Sequence, residues 1–590
     1  MPPYHPPTEE MLALLDEVLS AERHLAALPG LDGPLLPLLR DILPEAGRLA
    51  AGVLAPLNRI GDEEGCRLQN GTVHMPRGFD AAYQAFTEGG WGGLSQPVEW
   101  GGQGLPRIAQ ILLDEMVSSA NFAFGLLPGL TRGVAEALER HGSPALKALY
   151  LPKLITGEWA GAMVLTEPQA GTDLGLLRCR AEPGPEGSWR LTGSKIFITG
   201  GDHELAPNII HMVLARLPDA PAGVRGISLF LVPKYLPGPD GEPAARNAMA
   251  PSALERKMGI HGSPTCAMSY DGATAWLVGA PHRGLQAMFT MMNAERLFVG
   301  IQGLGVAEAA YQGAVAYARE RLQGRAPGQE SGPAQPILVH PDVRRMLLTI
   351  RAFTGAARGL ALWTALQMET AARHPEAAAR ARADRLVALM TPVIKAGFTD
   401  LGFEATVLAQ QVFGGHGYIR DHGMEQLVRD ARIAQIYEGT NGVQAMDLAG
   451  RKLALEDGAA AREFFALVRE SLEEATAVAG AADLATPLAA ALARLEGATE
   501  RLRRRAATDP AETGAAAADY LRLFLLVALG WMWLRMALAA LRTGAREERH
   551  RRWLDVAGFF HRRILPQSVA LDLALAEGAA PVMALPEALF

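Results

Sequence analysis

At 590 residues the chain is too long for one hydrophobic core, and roughly 100–200 residues per domain gives three or four domains. Hydrophobic residues make up 49% and charged residues 20%, which excludes a largely disordered chain, and a formal net charge of -7 supplies no basic excess for a nucleic-acid partner. The cysteines Cys66, Cys179 and Cys266 are odd in number and far apart, so they support neither a disulfide framework nor a CxxC metal site, and a reducing cytoplasmic location is expected.

The opening MPPYHPPTEEMLALL lacks a basic stretch followed by a long apolar run, so no secretory signal is expected. Over residues 1–160 apolar side chains such as Met11, Leu12, Leu15, Val18 and Leu19 recur at helical spacing, interrupted by a Gly-rich section at 89–106. This predicts a helical domain carrying one structured loop. Over 161–284 the pattern changes to short β-branched and aromatic runs, at 195–199, 209–213 and 227–232, separated by Gly and Pro clusters, which predicts a β domain. Ala- and Leu-rich helical segments return over 285–456, with a break near 324–336, and predict a helical bundle. A further helical block, 457–590, is broken near Thr508 and Pro510. Its most apolar stretch, 523–534, is shorter than the ~20 residues that span a bilayer, so a buried helix and no integral membrane segment are expected. The basic run Arg501, Arg503, Arg504 and Arg505 reads as a solvated helix face. The fold class is therefore α+β, mainly α.

Candidate chemistry lies in a few places. In RDARIAQIYEGTN (429–441) one helix ends and another begins, with Gly439 as a stop and Thr440 or Asn441 as a cap. Glu438 sits at that junction. A carboxylate held there among apolar groups and shielded from water can act as a general base, although by residue type alone a Glu ending a helix is the commoner case. The loop QVFGGHGY (411–418) offers backbone N–H groups that side chains would otherwise block. In LTEPQAGTD (165–173) the hydroxyls of Thr166 and Thr172 flank a turn and can bond the polar edge of a planar heterocycle, or simply cap the turn. Gly303 and Gly305 lack the preceding strand and third glycine of a dinucleotide fingerprint. His261, His340, His416 and His422 are scattered, no HExxH occurs and no metal is assigned, and there is no GxSxG elbow or Walker A loop.

Taken in order, TEPQAGTD (166–173), TGSKIFITG (192–200), NAER (293–296), QVFGGHGY (411–418) and the segment 429–440 resemble the acyl-CoA dehydrogenase family, over about residues 30–455. The block beyond looks like the C-terminal extension of the larger bacterial members. The resemblance implies an N-terminal helical domain, a middle β domain, a four-helix bundle and the extra helical domain. It implies FAD as cofactor, an acyl-CoA substrate, an electron-transfer flavoprotein as acceptor, and a homodimer or homotetramer. Thr166, Thr172, Phe197, Thr199 and the backbone of Met163 match positions around the flavin ring. Arg321, Gln411, Gly414 and Gly415 match contacts to the FAD of a neighbouring subunit, and Thr440 lies in the matched cofactor segment. Asn293 and Arg296 match contacts to CoA, and Glu438 matches the base that removes the α-proton while a hydride leaves from the β-carbon. Glu295 occupies the position where some members carry the catalytic glutamate instead. The aromatic usual shortly after Arg321 is absent from LQGR (322–325), and Gly442 replaces a side chain often found near the flavin. An acyl-CoA oxidase and a non-catalytic helical assembly module are the alternative readings.

Overall fold

The computed structural model describes residues 3–31 and 33–590. It is mainly helical with a β-sheet region in the middle of the chain, the order that the hydrophobic patterning predicts. By contact the chain forms two compact units, one comprising Ala46–Phe298 and the other the residues up to Glu45 together with Val299–Phe590.

In the unit Ala46–Phe298, helix α1 (Arg107–Ala120) is almost wholly buried, polar side chains included, and α2 (Phe122–His141) is buried over most of its length. Asn121 separates them. Its Oδ1 accepts the Phe124 N–H at 3.0 Å and its Nδ2 donates to the Leu54 carbonyl at 3.2 Å, so one buried side chain caps α2 and ties it to a neighbouring segment. The Gly-rich section is a hydrogen-bonded loop. Gly102 is required there because a Cβ would stand 2.2 Å from the Gln96 carbonyl oxygen.

Seven strands make the main sheet: β1 (Ala160–Val164), β2 (Arg180–Pro183), β3 (Trp189–Thr199), β4 (Ile209–Arg216), β5 (Ile227–Pro233), β6 (Met249–Leu254) and β7 (Thr265–Val278). The order is β6-β7-β3-β2-β4-β1, and β5 joins β4 to the end of β7, so the sheet closes on itself. Strands β4 and β5 are continuous apolar runs because both of their faces are covered. In the β3–β7 ladder Cys266 pairs with Ile198 but Met268 pairs with Lys195. Ile196 and Phe197 therefore share one opposing residue, a β-bulge.

In the other unit, α4 (Pro341–Arg373) and α5 (Ala377–Phe413) lie side by side, and the later part of α3 (Gly284–Glu320) meets α5 at Gly303 and α4 through the Glu308–Arg358 pair. The glycines that resemble part of a dinucleotide fingerprint are helical. A Cβ on Gly303 would lie 2.6 Å from the Phe398 carbonyl oxygen, and one on Gly402 would lie 2.4 Å from that of Gly303. These glycines let α3 and α5 cross with their backbones nearly touching. After α6 (Met424–Arg432) and α7 (Asn441–Met446) come α8 (Ala459–Thr476), α9 (Ala482–Ala506), α10 (Ala511–Arg542), α11 (Glu548–Phe559) and α12 (Gln567–Glu577).

Helix α10 is the centre of the extension and packs on α4, α5, α8, α9, α11 and α12. By length and composition it could cross a membrane, but 94% of its most apolar window is buried among these helices. Leu525 fits against Gly397 of α5, while Met532 and Trp533 fit against Gly359 and Gly355 of α4. The basic run is more than a solvated face: Arg501 pairs with Asp572, and Arg505 donates to the Ala576 carbonyl at 2.8 Å, at the end of α12 where orphan carbonyls attract a cation.

The N-terminal segment packs into this same unit. Met11, Leu14 and Leu15 are fully buried, and the His5 backbone exchanges hydrogen bonds of 2.9 and 2.8 Å with the Gln312 side chain. Glu10 lies between Arg351 and Arg358, and Glu308 bonds Arg358 at 2.9 Å. Burial opposes ionisation of Glu10, but the two guanidiniums outweigh it and hold the carboxyl below its ordinary range. Glu17 reaches Arg549 and His550 at 2.5 and 2.6 Å.

Candidate active site

Within Ala46–Phe298 the segment 163–173 runs along β3. Ile196 N–H donates to the Thr166 carbonyl at 2.9 Å, and the buried ammonium of Lys195 donates to the Leu165 carbonyl at 2.8 Å. Lys195 also pairs with Glu167 at 3.0 Å, and Glu167 accepts the N–H groups of Arg178 and Cys179 at 2.8 and 3.0 Å. Burial opposes the Glu167 charge, yet Lys195 and the two N–H groups hold its carboxyl below the usual range. Met163 is the penultimate residue of β1, opposite Met212 of β4. The result is a stiff edge bearing Met163, Thr166, Phe197 and Thr199. Thr172 lies beyond it in an exposed turn, next to Asp173, whose carboxylate accepts Gly175 N–H at 2.9 Å.

Phe197 stands out on that edge. The bulge sets its φ at +59°, and the residue is 60% exposed between the half-buried Ile196 and the buried Ile198. A left-handed aromatic residue costs about 1–3 kcal/mol, and such conformations cluster at ligand clamps. Elsewhere in the sheet, His211 of β4 joins Tyr270 Oη at 2.7 Å to the Gly201 carbonyl at 2.8 Å. Because a carbonyl only accepts, Nε2 of His211 carries the proton and Nδ1 accepts from Tyr270. Burial drives the pKa of His211 down to about 3, so the ring stays neutral.

On α3, Asn293 is exposed, whereas Glu295 and Arg296 are buried. The Arg296 guanidinium lies over the Phe289 ring, 5.8 Å from its centroid. A Cβ on Gly133 of α2 would stand 2.8 Å from Glu295 Oε1, so Glu295 occupies a tight helix contact.

In the other unit Tyr317, near the end of α3, stacks on Phe413 with centroids 4.1 Å apart, and its hydroxyl bonds His416 Nδ1 at 2.8 Å. These contacts tie the end of α3, one turn before Arg321, to the segment that holds Gln411, Gly414 and Gly415. Arg321 N–H donates to the Tyr317 carbonyl, and its own carbonyl accepts Ile337 N–H, each at 2.8 Å, leaving the side chain exposed. Gly414 has φ +59°, and a Cβ on Gly417 would stand 2.3 Å from the Gln410 carbonyl oxygen, so both glycines are dictated by the turn. Gly415 is different: a Cβ there would meet nothing within 4 Å.

Glu438 follows a single 3-10 turn, Ile433–Gln435, and has φ +56°; Gly439 follows with φ +78°. Two successive left-handed residues turn the chain sharply before Thr440, whose Oγ1 accepts Val443 N–H at 3.3 Å and caps α7. For a glutamate this backbone costs about 1–2 kcal/mol and persists only where the surroundings enforce it. The Glu438 carbonyl accepts from Gln444 Nε2 at 3.1 Å, and the Gly439 carbonyl accepts from the buried Lys395 at 2.8 Å. On the preceding side, Tyr437 Oη donates to Gln302 Oε1 at 2.5 Å. Two fully buried atoms in this shell, Gln302 Nε2 and Gln444 Oε1, meet no partner among the described residues. A ligand or water is needed to satisfy them. The sequence singles out Glu438 and Thr440 at this turn but not Lys395, Gln302 and Gln444 beside it. A lone lysine in the apolar run TPVIKAGF was the available signal.

Among the described residues no group of three or more His, Cys, Asp and Glu is gathered as metal ligands. The unit Ala46–Phe298 presents an exposed aromatic, Phe197, with the half-buried hydroxyls of Thr166 and Thr199; the other unit presents a half-buried carboxylate on a left-handed turn and open glycine backbone at Gly415. Comparison with known proteins gives the chain a family. Residues 47–158, 162–273 and 282–453 match the N-terminal, middle and C-terminal domains of acyl-CoA dehydrogenase, and residues 464–586 match an "Acetyl-CoA dehydrogenase C-terminal like" domain.

The chain belongs to the acyl-CoA dehydrogenase family of oxidoreductases. It is 46% identical to a 3-methylmercaptopropionyl-CoA dehydrogenase of Ruegeria pomeroyi over 85% of each chain. The butyryl-CoA dehydrogenase structure from Megasphaera elsdenii covers 72% of this chain and all of its own, at 27% identity and TM-score 0.59. Caenorhabditis elegans ACDH-11 shares the fold over 95% of this chain and 91% of its own, at 20% identity and TM-score 0.77.

Proposed function

We propose that the protein is a FAD-dependent acyl-CoA dehydrogenase that converts an acyl-CoA thioester to the trans-2-enoyl-CoA, with Glu438 as the base. The observation that carries this reading is the enforced left-handed turn at Glu438, a cost that a carboxylate merely ending a helix would have no reason to bear.

The residues fit FAD. Phe197 offers an exposed ring face, Thr166 and Thr199 offer half-buried hydroxyls, and Gly415 leaves space where any side chain would intrude. Met163 and Thr172 complete the flavin-side set, while Arg321, Gln411, Gly414, Gly415 and Thr440 would serve the rest of the cofactor. Bound FAD would supply the hydride acceptor that no side chain provides. Glu438 takes the α-proton, and its departure with the β-hydride leaves the double bond. Asn293 and Arg296 would hold the CoA moiety. The half-buried turn holds the Glu438 carboxylate, and an acyl-CoA seated against it would displace water and leave the carboxylate more basic toward a weak carbon acid.

The name of the Ruegeria relative makes a short, sulfur-bearing acyl-CoA the first substrate to try. The electron acceptor is an electron-transfer flavoprotein. The working state is a cytoplasmic homodimer or homotetramer, which light scattering of the FAD-loaded protein checks. The deciding experiment adds a panel of acyl-CoAs, including 3-methylthiopropionyl-CoA, to the yellow protein without oxygen. Bleaching of the flavin with formation of enoyl-CoA is expected. A yellow protein that no acyl-CoA bleaches overturns the reading, and stoichiometric peroxide in air replaces the dehydrogenase with an oxidase.

A further inference from the structure

The turn that carries Glu438 is gripped from behind by a charge that the reaction itself does not use. Lys395 lies midway along α5 and is fully buried, 0% exposed. Its Nζ donates to the Gly439 carbonyl at 2.8 Å and to Asn441 Oδ1 at 2.9 Å. Asn441 Nδ2 in turn donates to Asp400 Oδ1 at 2.7 Å and to Thr399 Oγ1 at 2.9 Å. Gln435 Nε2 reaches the same Asp400 oxygen at 2.7 Å. Residues on both sides of Glu438 are thus tied to one patch of α5.

Desolvating an ammonium costs several kcal/mol, and an apolar side chain of similar size would fill the same volume without that cost. Packing alone therefore gives no reason for a lysine here. What the ammonium does that methionine cannot is hold the Gly439 carbonyl and the Asn441 side-chain amide oxygen, one and three positions after Glu438, at fixed positions. Those positions set the left-handed backbone of Glu438 and Gly439, and with it the direction of the carboxylate.

We propose that Lys395 is a positioning residue: acting through the Gly439 carbonyl and Asn441, it aims the Glu438 carboxylate at the acyl α-carbon. This rests on Glu438 being the base. Misplacement of a reacting group by about 1 Å can lower a rate about 10²-fold.

The test is a double-mutant cycle on the full-length, FAD-loaded protein, with Lys395→Met, Glu438→Gln and the pair. Lys395→Met should keep FAD, leave KM for the acyl-CoA within about threefold and lower kcat about 10–100-fold. In the Glu438→Gln background the same change should lower kcat by less than about threefold, because the group it aims is gone. Losses that multiply, or an unchanged kcat in Lys395→Met, overturn the positioning role, since a purely structural lysine would act equally in both backgrounds. If Lys395→Met does not fold, Asn441→Ala takes its place in the same cycle with the same expected pattern. Full turnover in Glu438→Gln alone overturns the base assignment instead, a result separable from the outcome of the cycle.

Discussion

The indole of Trp533 lies directly over the Cα of Gly355: a Cβ built there would stand 2.8 Å from the ring, and the indole Nε1 donates to the Ala352 carbonyl at 2.8 Å. One side chain of the C-terminal extension is thus both packed into and hydrogen-bonded to α4 of the bundle. Trp533→Ala should destabilise the protein by about 3–5 kcal/mol, and Gly355→Ala by about 1–3 kcal/mol through overpacking. Thermal and denaturant unfolding of both variants checks this. A silent Gly355→Ala would mean that the ring yields freely.

Glu438→Gln should keep the yellow cofactor and lose at least ~10²-fold in turnover, the size of general-base effects. Glu295→Gln should retain most of the turnover, because Glu295 fills a contact against Gly133. Steady-state rates with one acyl-CoA decide between the two carboxylates, and a crippled Glu295→Gln beside an active Glu438→Gln reverses the assignment.

Gly415 and Gly417 separate shape from ligand access. Gly417→Ala drives a methyl group to within 2.3 Å of the Gln410 carbonyl oxygen and should lower thermal stability even without cofactor. Gly415→Ala meets nothing within 4 Å among the described residues and should fold with unchanged stability. It should nevertheless bind FAD more weakly, by about tenfold or more, the loss of one or two backbone hydrogen bonds. Fluorescence titration of the apoprotein with FAD reads this, and unaltered affinity would remove Gly415 from the cofactor set.

Acid should weaken the fold through buried imidazoles. Burial drives His203 and His211 down to about 3 and His561 down to about 4, so each stays neutral when folded but takes a proton when unfolded below about 6.5. Their contribution is fully present above pH 6.5 and is lost as pH falls toward the folded values, by at most about 1.4 kcal/mol per pH unit for each residue. His261 acts oppositely. Hydrogen bonding to Asp62 raises its pKa, so its contribution is present below about 6.5 and fades as pH rises through the higher folded value. Denaturant unfolding at pH 7 and pH 5 should show a lower stability at pH 5, and His211→Gln should flatten that slope.

Much of this architecture was legible because it is written in local patterns. The runs at 195–199, 209–213 and 227–232 are strands, and the breaks near 324–336 and Pro510 separate helices. Thr440 caps a helix as its place after Gly439 predicts. Contacts between distant segments were not legible. An amphipathic stretch such as residues 8–19 announces an apolar face without naming what it packs against, and here the partners include α4 and α10. Likewise Lys395 lies 43 positions before Glu438, and only the folded chain brings its ammonium to the turn. The bulge at Phe197 was hidden too, since a slip in the ladder depends on both strands.

The N-terminal segment has a further consequence for how the protein is made. Its Glu17 bonds residues more than 530 positions later in the chain, and Gln312 and Arg351, which hold His5 and Glu10, follow the whole of the unit Ala46–Phe298. During synthesis Met11, Leu14 and Leu15 must therefore wait, exposed, until helices from the far end have emerged, while the intervening unit can already fold. Closing so long a loop is slow to start but adds little to the final entropy cost, because that cost grows only logarithmically with length. A bulky fusion at the N-terminus would thus act on the last step of assembly, and its signature would be soluble, half-finished chains with an open C-terminal bundle.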